Sequence, residues 1–150
     1  MTDNKAPTTS TKRLTSGLED YLEAVYMLQL DKGFARVKDI AEMLGVRAPS
    51  VTGAMQSLAE RGLINYQPYE YITLTESGSQ RASTVAHKHW MLKSFFSEFL
   101  RIEEKAAEAA ACECEHRLPQ QAYVNISQLM KFMRSPDGAR FNKLLGEYLK

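Results

Sequence analysis

Residues 35–64 have the sequence ARVKDIAEMLGVRAPSVTGAMQSLAERGLI, and this stretch decides the fold of the first half of the chain. Apolar residues recur at helical spacing over 37–44 and again over 48–61, so two short helices are expected. Gly45 supplies the turn between them, and Pro49 falls in the first turn of the second helix, where proline is tolerated. Two short helices joined by a glycine turn form a helix-turn-helix pattern.

The flanking segments extend this pattern. Ser16-Gly-Leu-Glu19 has the form of a capping box and predicts a helix that starts at about residue 17 and ends at 31–33. Beyond the second short helix, the strand-like runs 63–66 and 71–74 predict a β-hairpin. A helix-turn-helix followed by a hairpin is the winged-helix arrangement.

The second half of the chain is predicted to be helical. Thr75 caps a long helix from about residue 76 to about 100, and further helices are expected over 103–118 and 124–133. Ser135 followed by Pro136 predicts the start of a terminal helix that ends near Lys150. The expected fold class is therefore mainly α with a small β-hairpin.

Composition limits the classes of function. The chain has 150 residues, 44% of them hydrophobic, and a net charge of +1, which is typical of a soluble globular protein of one or two small domains. The first residues, rich in Thr, Lys and Pro, lack the apolar core of a secretory signal. We expect residues 1–14 to be a disordered arm. We also expect that the protein does not contact a membrane and that it is located in the cytoplasm.

The start of the second short helix is the candidate DNA-contacting element, because in helix-turn-helix motifs it enters the major groove. Arg47 can bond a guanine edge or a phosphate, and Gln56 lies where it can reach a base or only solvent. The near-zero net charge gives no bulk attraction to DNA, and a helical pair without a DNA role is the alternative. The candidate residues are Arg47, Ala48, Pro49, Ser50, Thr52, Gly53 and Gln56.

A second cluster indicates a metal site. Cys112, Glu115 and His116 stand at i, i+3 and i+4, so on a helix they project from one face. Asp20 and Glu23 lie one turn apart on the first helix, and His89 lies in the long helix. Each residue alone has an ordinary explanation, such as a solvated helix face or a buried thiol. Together, oxygen and nitrogen donors suit Mn(II) and Fe(II), while the thiolate favours Fe(II) and admits Zn(II) or Co(II).

From about Leu18 to Leu118 the chain resembles the diphtheria toxin repressor family of iron-dependent repressors and manganese transport regulators. Six features carry the resemblance: E-D-Y-x-E at 19–23, R-V-x-D-I-A-E-x-L-x-V at 36–46, P-S-V-T at 49–52, L-T-x-x-G at 74–78, His89, and C-x-x-E-H at 112–116.

The resemblance implies a homodimer that, when metallated, binds a palindromic operator in double-stranded DNA and represses genes for iron or manganese uptake. It implies a winged-helix DNA-binding domain over 15–75 and a helical metal-binding and dimerisation domain over 76–150, without the SH3-like domain of some members. The residues at family ligand positions are Asp20, Glu23, His89, Cys112, Glu115 and His116.

The ligand set combines two branches of that family. At position 20, aspartate is the residue typical of the manganese regulators. At position 112, cysteine is typical of the iron-responsive members, whereas manganese regulators have glutamate. Lys93 and Glu108 replace a carboxylate and a histidine of the accessory site found in the iron-responsive branch. Helical geometry is expected to turn Glu19 away from the metal site.

The cysteine and aromatic residues also bear on two other classes of protein. An enzyme with Cys112 as nucleophile is not expected, because nothing beside it would form an oxyanion hole. The alternative regulator is a winged-helix protein that responds to a small organic ligand or to redox state through its aromatic and cysteine residues.

Overall fold

The computed structural model describes residues 13–149. This part of the chain contains seven α-helices and one antiparallel hairpin. The expected fold class, mainly α with a small β-hairpin, is therefore confirmed. The elements are α1 (Ser16–Lys32), α2 (Val37–Leu44), α3 (Ala48–Glu60), β1 (Ile64–Asn65), β2 (Thr73–Leu74), α4 (Glu76–Ser94), α5 (Glu104–Cys114), α6 (Gln120–Arg134) and α7 (Pro136–Tyr148).

Helix α1 begins one residue earlier than the capping box suggested. The Thr15 hydroxyl, rather than that of Ser16, accepts a hydrogen bond from the Leu18 amide and caps the helix. The helix ends at Gly33, whose φ of 84° is the left-handed conformation typical of a C-terminal cap. Most of the expected arm, residues 1–12, lies outside the described residues, but Leu14 is buried and belongs to the core.

The two short helices of the helix-turn-helix form as predicted, and both pack on α1. Gly45 has a φ of 64° in the turn between α2 and α3, which glycine adopts at low cost. The inward positions Leu22 of α1, Ile40 of α2 and Met55 of α3 are fully buried in one apolar cluster. Burial of these side chains holds α3 against α1, and its opposite face is left exposed.

The hairpin is shorter than expected. β1 and β2 pair in the register Ile64–Leu74 and Asn65–Thr73, and a further bridge joins Ile72 to Ala35, just before α2. The hairpin is therefore attached to the helix-turn-helix by main-chain hydrogen bonds.

Helix α4 does not continue unbroken to residue 100. It ends at Ser94 and gives way to a π-helical turn over Phe95–Phe99, in which the Leu100 amide donates to the Phe95 carbonyl at 3.2 Å.

Near the start of α4, Gly78 packs so closely on the Leu63 main chain that an added Cβ would lie 1.8 Å from the Leu63 oxygen. This contact fixes the long helix against the hairpin.

Helix α5 is rich in alanine, the best helix former, and packs on α4 through the fully buried Ala107 and Ala111. The regular helix ends at Cys114, not at Leu118. The amides of Arg117 and Leu118 both bond to the Cys114 carbonyl, so the chain tightens into a turn there. The last two predicted ligands thus lie at and just beyond the end of the helix.

Helix α6 begins at Gln120, directly after Pro119 and earlier than predicted, whereas Ser135 caps α7 as expected. Four large apolar residues of α6 and α7 are exposed on the single chain: Leu129, Phe132, Phe141 and Leu144. Met130 and Met133 are buried in their place, because α6 presents that face to the π-helical turn. Within the described residues, no helix is long and apolar enough to cross a membrane.

Candidate metal centre

Helices α1, α4 and α5 enclose an open cleft of about 760 Å³ that contains polar side chains from all three. Asp20 and Glu23 project into it from one face of α1, whose opposite face carries the buried Leu22 and Val25. His89 reaches it from the middle of α4 and is 8% exposed. The fold thus brings together groups that lie far apart in sequence.

Asp20, Glu115 and His116 form the first group of converging donors, with one ligand atom from each within 4.8 Å of the others. His116 Nε2 lies 2.7 Å from Asp20 Oδ1 and 3.1 Å from Glu115 Oε1. This geometry places one imidazole nitrogen between two carboxylates, which is an arrangement suited to a divalent cation.

Glu23, His89 and Glu115 form the second group under the same 4.8 Å limit. His89 Nδ1 lies 2.6 Å from Glu115 Oε2. Glu115 therefore belongs to both groups and directs a different oxygen to the histidine of each.

Glu115 provides the test of whether these residues fit a metal. Its side chain is 1% exposed, and within residues 13–149 its Oε1 accepts no hydrogen bond. Among the described residues its polar contact is the approach of His116 Nε2 at 3.1 Å, which does not make a hydrogen bond. A buried carboxylate oxygen that accepts no hydrogen bond is costly, and cation ligation would satisfy it. The oxygen and nitrogen donors around it are those that Mn(II) and Fe(II) bind, so the residues fit such an ion.

The pKa values of two groups in the site are raised when no metal is bound. Burial, together with the nearby Glu115 carboxylate, raises the pKa of Glu23 to about 7. The hydrogen bond from His89 to Glu115 raises the pKa of His89 to about 9. At neutral pH the site therefore holds protons that a bound cation would displace.

Cys112, the sixth predicted ligand, lines the same cleft but belongs to neither group of converging donors among the described residues. Cys112 is exposed on α5, whereas Glu115 at the end of that helix is buried. Burial, followed by the charge of Glu115, raises the pKa of the Cys112 thiol to about 11. The thiolate is therefore disfavoured in the metal-free protein.

Two residues that contact the histidines of the site were not predicted from the sequence. Glu19, expected to face away, accepts a hydrogen bond from His116 Nδ1 at 2.8 Å. Glu108 lies 2.8 Å from His89 Nε2 and also 2.8 Å from the Lys93 ammonium. Glu19 and Asp20 are adjacent on α1 and point in different directions. One histidine ring nevertheless contacts both, because its two nitrogens lie on opposite sides of the ring.

The candidate DNA-contacting residues cluster at the start of α3, opposite its buried face. Arg47 is the N-terminal cap residue and is exposed, as are Ser50 and Gln56. Thr52 is half-buried, and its hydroxyl donates to the Ala48 carbonyl at 3.2 Å, so it is less available to a phosphate than expected. Ala48, Pro49 and Gly53 are also exposed on this surface.

Arg36, which the sequence did not single out, links the hairpin to this surface. Its guanidinium lies 4.8 Å from the Tyr71 ring centre and 5.4 Å from that of Phe34. It also donates a hydrogen bond to the Tyr71 hydroxyl at 2.9 Å. Arg36, Lys38 and Gln56 share a groove of about 840 Å³ with the hairpin tip.

The stability of the metal-free protein should fall as pH rises from about 4.5 to 9. Glu23 has a pKa of about 7 against an ordinary 4.5, and His89 a pKa of about 9 against 6.5, so the folded state binds more protons than the unfolded state. The contribution of His89 is complete below pH 6.5 and disappears as pH rises through 9. That of Glu23 is lost between 4.5 and 7.

Urea unfolding at several pH values in the presence of a chelator measures this decline. Glu23→Gln should flatten the lower part of the profile. It should also weaken the upper part, because the Glu23 charge contributes to the raised pKa of His89. A free energy of unfolding that rises with pH over this range would contradict the assignment of both protons.

Comparison with known proteins agrees with this fold. The family model described as iron dependent repressor, N-terminal DNA binding domain, matches residues 13–72. The model described as iron dependent repressor, metal binding and dimerisation domain, matches residues 75–140. The chain therefore belongs to the iron dependent repressor family, and it is a metal-dependent transcriptional regulator.

Individual relatives support this assignment. An uncharacterized HTH-type transcriptional regulator of Methanocaldococcus jannaschii is 33% identical over 119 residues, which cover 79% of this chain and 95% of the relative. The HTH-type transcriptional regulator MntR of Lysinibacillus sphaericus is 33% identical over 124 residues, covering 82% and 88%.

A solved structure titled as a manganese-dependent transcriptional repressor in complex with manganese is also similar. It superposes with a TM-score of 0.68 at 26% identity, covering 74% of this chain and 51% of that one. The chain thus spans about half the length of that solved structure.

Proposed function

We propose that Mn(II) or Fe(II), held by Asp20, Glu23, His89, Glu115 and His116, converts a homodimer of this protein into a form that binds a palindromic operator and represses metal-uptake genes. One observation carries the proposal: donors from α1 and from α4 and α5 converge on the buried Glu115. The proposed DNA-binding domain is 15–75 and the metal-binding and dimerisation domain 76–150, and the proposed location is the cytoplasm, where the operator would be.

The arrangement of helices explains how the site would control DNA binding. Asp20 and Glu23 lie on α1, which packs against α2 and α3. Glu115 and His116 follow α5, which packs on α4. A bound cation supplies positive charge that lets these carboxylates approach one another. Their approach would fix α3 relative to the dimerisation helices, and so fix the spacing of the two α3 helices in a dimer.

Coupling between the metal site and the DNA-binding surface must be reciprocal. If metal binds the DNA-competent arrangement more tightly, operator DNA raises the affinity for metal by the same factor. Burial of Glu23, followed by repulsion from Glu115 and Asp20, raises the pKa of Glu23, and this unfavourable placement of its charge supports a less well-held α1 without metal.

The donor set supports Mn(II) or Fe(II) as the effector, with Zn(II) or Co(II) as substitutes in vitro. Cys112 lies apart from both groups of donors, and this placement supports a weaker role for the thiol in metal choice than the sequence suggested. The two groups sharing Glu115 support up to two ions per subunit.

Anaerobic calorimetric titration of the metal-free protein with Fe(II) and with Mn(II), followed by operator binding at matched occupancy, tests the proposal. Saturable binding that raises operator affinity supports it, and the stoichiometry counts the ions. Operator binding that is equal with and without metal would reject it and would favour a regulator that responds to an organic ligand or to redox state.

We further propose that the protein has no catalytic role. A nucleophilic cysteine needs a lowered pKa, whereas burial and the neighbouring carboxylates raise the pKa of Cys112 to about 11. His116, the base that such chemistry would use, is instead bonded to Asp20 and Glu19.

Arg47→Ala should weaken operator binding about tenfold or more without changing metal affinity, since loss of one good base contact costs about 1–3 kcal/mol. Arg47 is exposed at the N-terminus of α3 and belongs to neither group of converging donors. Fluorescence anisotropy with labelled operator measures the loss, and Arg61→Ala, at the other end of α3, is the matched control. A change in metal affinity alone would show that α3 is not the recognition helix.

A further inference from the structure

We propose that Glu108 and Glu19 are positioning residues that determine which ring nitrogen of each histidine faces the metal. The inference rests on the proposed metal site and assigns roles to two carboxylates outside the predicted ligand set. Each carboxylate bonds the nitrogen that points away from the converging donors, and each is in contact with a cation on α4.

His89 lies between two carboxylates. Its Nδ1 is 2.6 Å from Glu115 Oε2, on the side of the donor group, and its Nε2 is 2.8 Å from Glu108 Oε1. A neutral imidazole carries one N–H and one lone pair. With the Nε2 proton donated to Glu108, the lone pair of Nδ1 is directed at the group that includes Glu23 and Glu115.

His116 has the opposite arrangement. Its Nε2 lies 2.7 Å from Asp20 and 3.1 Å from Glu115, whereas its Nδ1 is 2.8 Å from Glu19 Oε2. With the Nδ1 proton donated to Glu19, the lone pair of Nε2 is directed at the other donor group. The two histidines would thus bind through different nitrogens.

The two outer carboxylates are themselves held in place from α4. The Lys93 ammonium lies 2.8 Å from Glu108 Oε2, so one oxygen of Glu108 is held by Lys93 while the other faces His89. The Arg81 guanidinium lies 3.9 Å from Glu19 Oε1, a looser contact. Lys93 and Arg81 therefore fix the orientation of the two acceptors relative to the histidine rings.

The first test compares Mn(II) affinity across variants by calorimetry. Glu108→Leu and Glu19→Leu should each weaken binding roughly 10- to 100-fold, the usual cost of losing such an outer contact. Glu108→Gln keeps an acceptor oxygen and should recover part of that loss. Glu104→Leu is the matched control, because Glu104 also contacts Lys93, at 3.3 Å, but neither histidine in the described structure.

The second test identifies the binding nitrogens directly. In wild-type protein loaded with Zn(II), nitrogen NMR should show His89 bound through Nδ1 and His116 through Nε2. In Glu108→Leu, His89 should lose this single assignment while His116 keeps it, and circular dichroism should show an intact fold. A merely structural role for Glu108 would leave the ring assignment of His89 unchanged.

The outcomes separate the two hypotheses. Wild-type protein that binds neither Mn(II) nor Zn(II) would reject the proposed metal site itself. Wild-type binding with unaltered affinity in Glu108→Leu and Glu19→Leu, or with the opposite nitrogens bound, would overturn the positioning role alone.

Discussion

Glu115→Gln should lower the affinity for Mn(II) by about 100-fold or more, or roughly 2.8 kcal/mol at 1.4 kcal/mol per tenfold change, and should abolish metal-stimulated operator binding. Loss of an outer contact to a metal ligand already costs roughly 10- to 100-fold, and Glu115 is a donor in both groups. Its side chain is 1% exposed, so water cannot easily replace the missing oxygen charge. Calorimetry and operator anisotropy measure the two losses.

The glutamine variant is close in shape to glutamate, so the fold should remain intact. Glu113→Gln, a change of the same kind at an exposed position on α5, is the matched control and should bind Mn(II) like the wild type. Mn(II) affinity that is unchanged in Glu115→Gln would show that the ion binds elsewhere.

Gly78→Ala should destabilise the protein by about 3 kcal/mol or more, a cost typical of severe overpacking. The added Cβ would lie 1.8 Å from the Leu63 oxygen and 2.7 Å from its carbonyl carbon. Because the obstacle is main chain rather than a flexible side chain, α4 and the hairpin must move apart. Urea unfolding in the presence of chelator measures the loss.

Gly17→Ala is the control for this substitution. Gly17 lies in α1, and an added Cβ there meets no heavy atom within 4 Å. Alanine at an open helical position should stabilise by roughly 0.5–1 kcal/mol. Similar free energies of unfolding for the two variants would show that the contact between Gly78 and Leu63 is not tight in solution.

Most helices could be predicted because local signals determined them. The apolar spacing in α2 and α3, the glycine turn at Gly45, and Pro136 after the Ser135 cap each act over a few residues. The π-helical turn after Ser94 was not predicted, since FFSEF continues an apolar helical pattern. Its conformation depends on packing against α5, α6 and α7, which a local pattern does not contain.

The candidate site was predicted unevenly for a similar reason. Spacing along single helices predicted that Asp20 lies near Glu23 and that Glu115 lies near His116. It also predicted a regular helix as far as Leu118, which the structure does not show. Cys112, which the same spacing placed with Glu115 and His116, belongs to neither group of converging donors among the described residues. The bonds from Glu19 and Glu108 to the histidines depend on how neighbouring helices face one another, and residue spacing along one helix cannot give that.

The donors of the site lie up to 96 positions apart, as His116 and Asp20 do, so the complete site exists only in the folded chain. A ligand that binds only the folded state stabilises it by about 2.7 kcal/mol at 100 times its dissociation constant. Cellular proteases that degrade unfolded chains would therefore remove the metal-free protein faster than the loaded form. Metal supply would then set the lifetime of the protein as well as its occupancy of the operator.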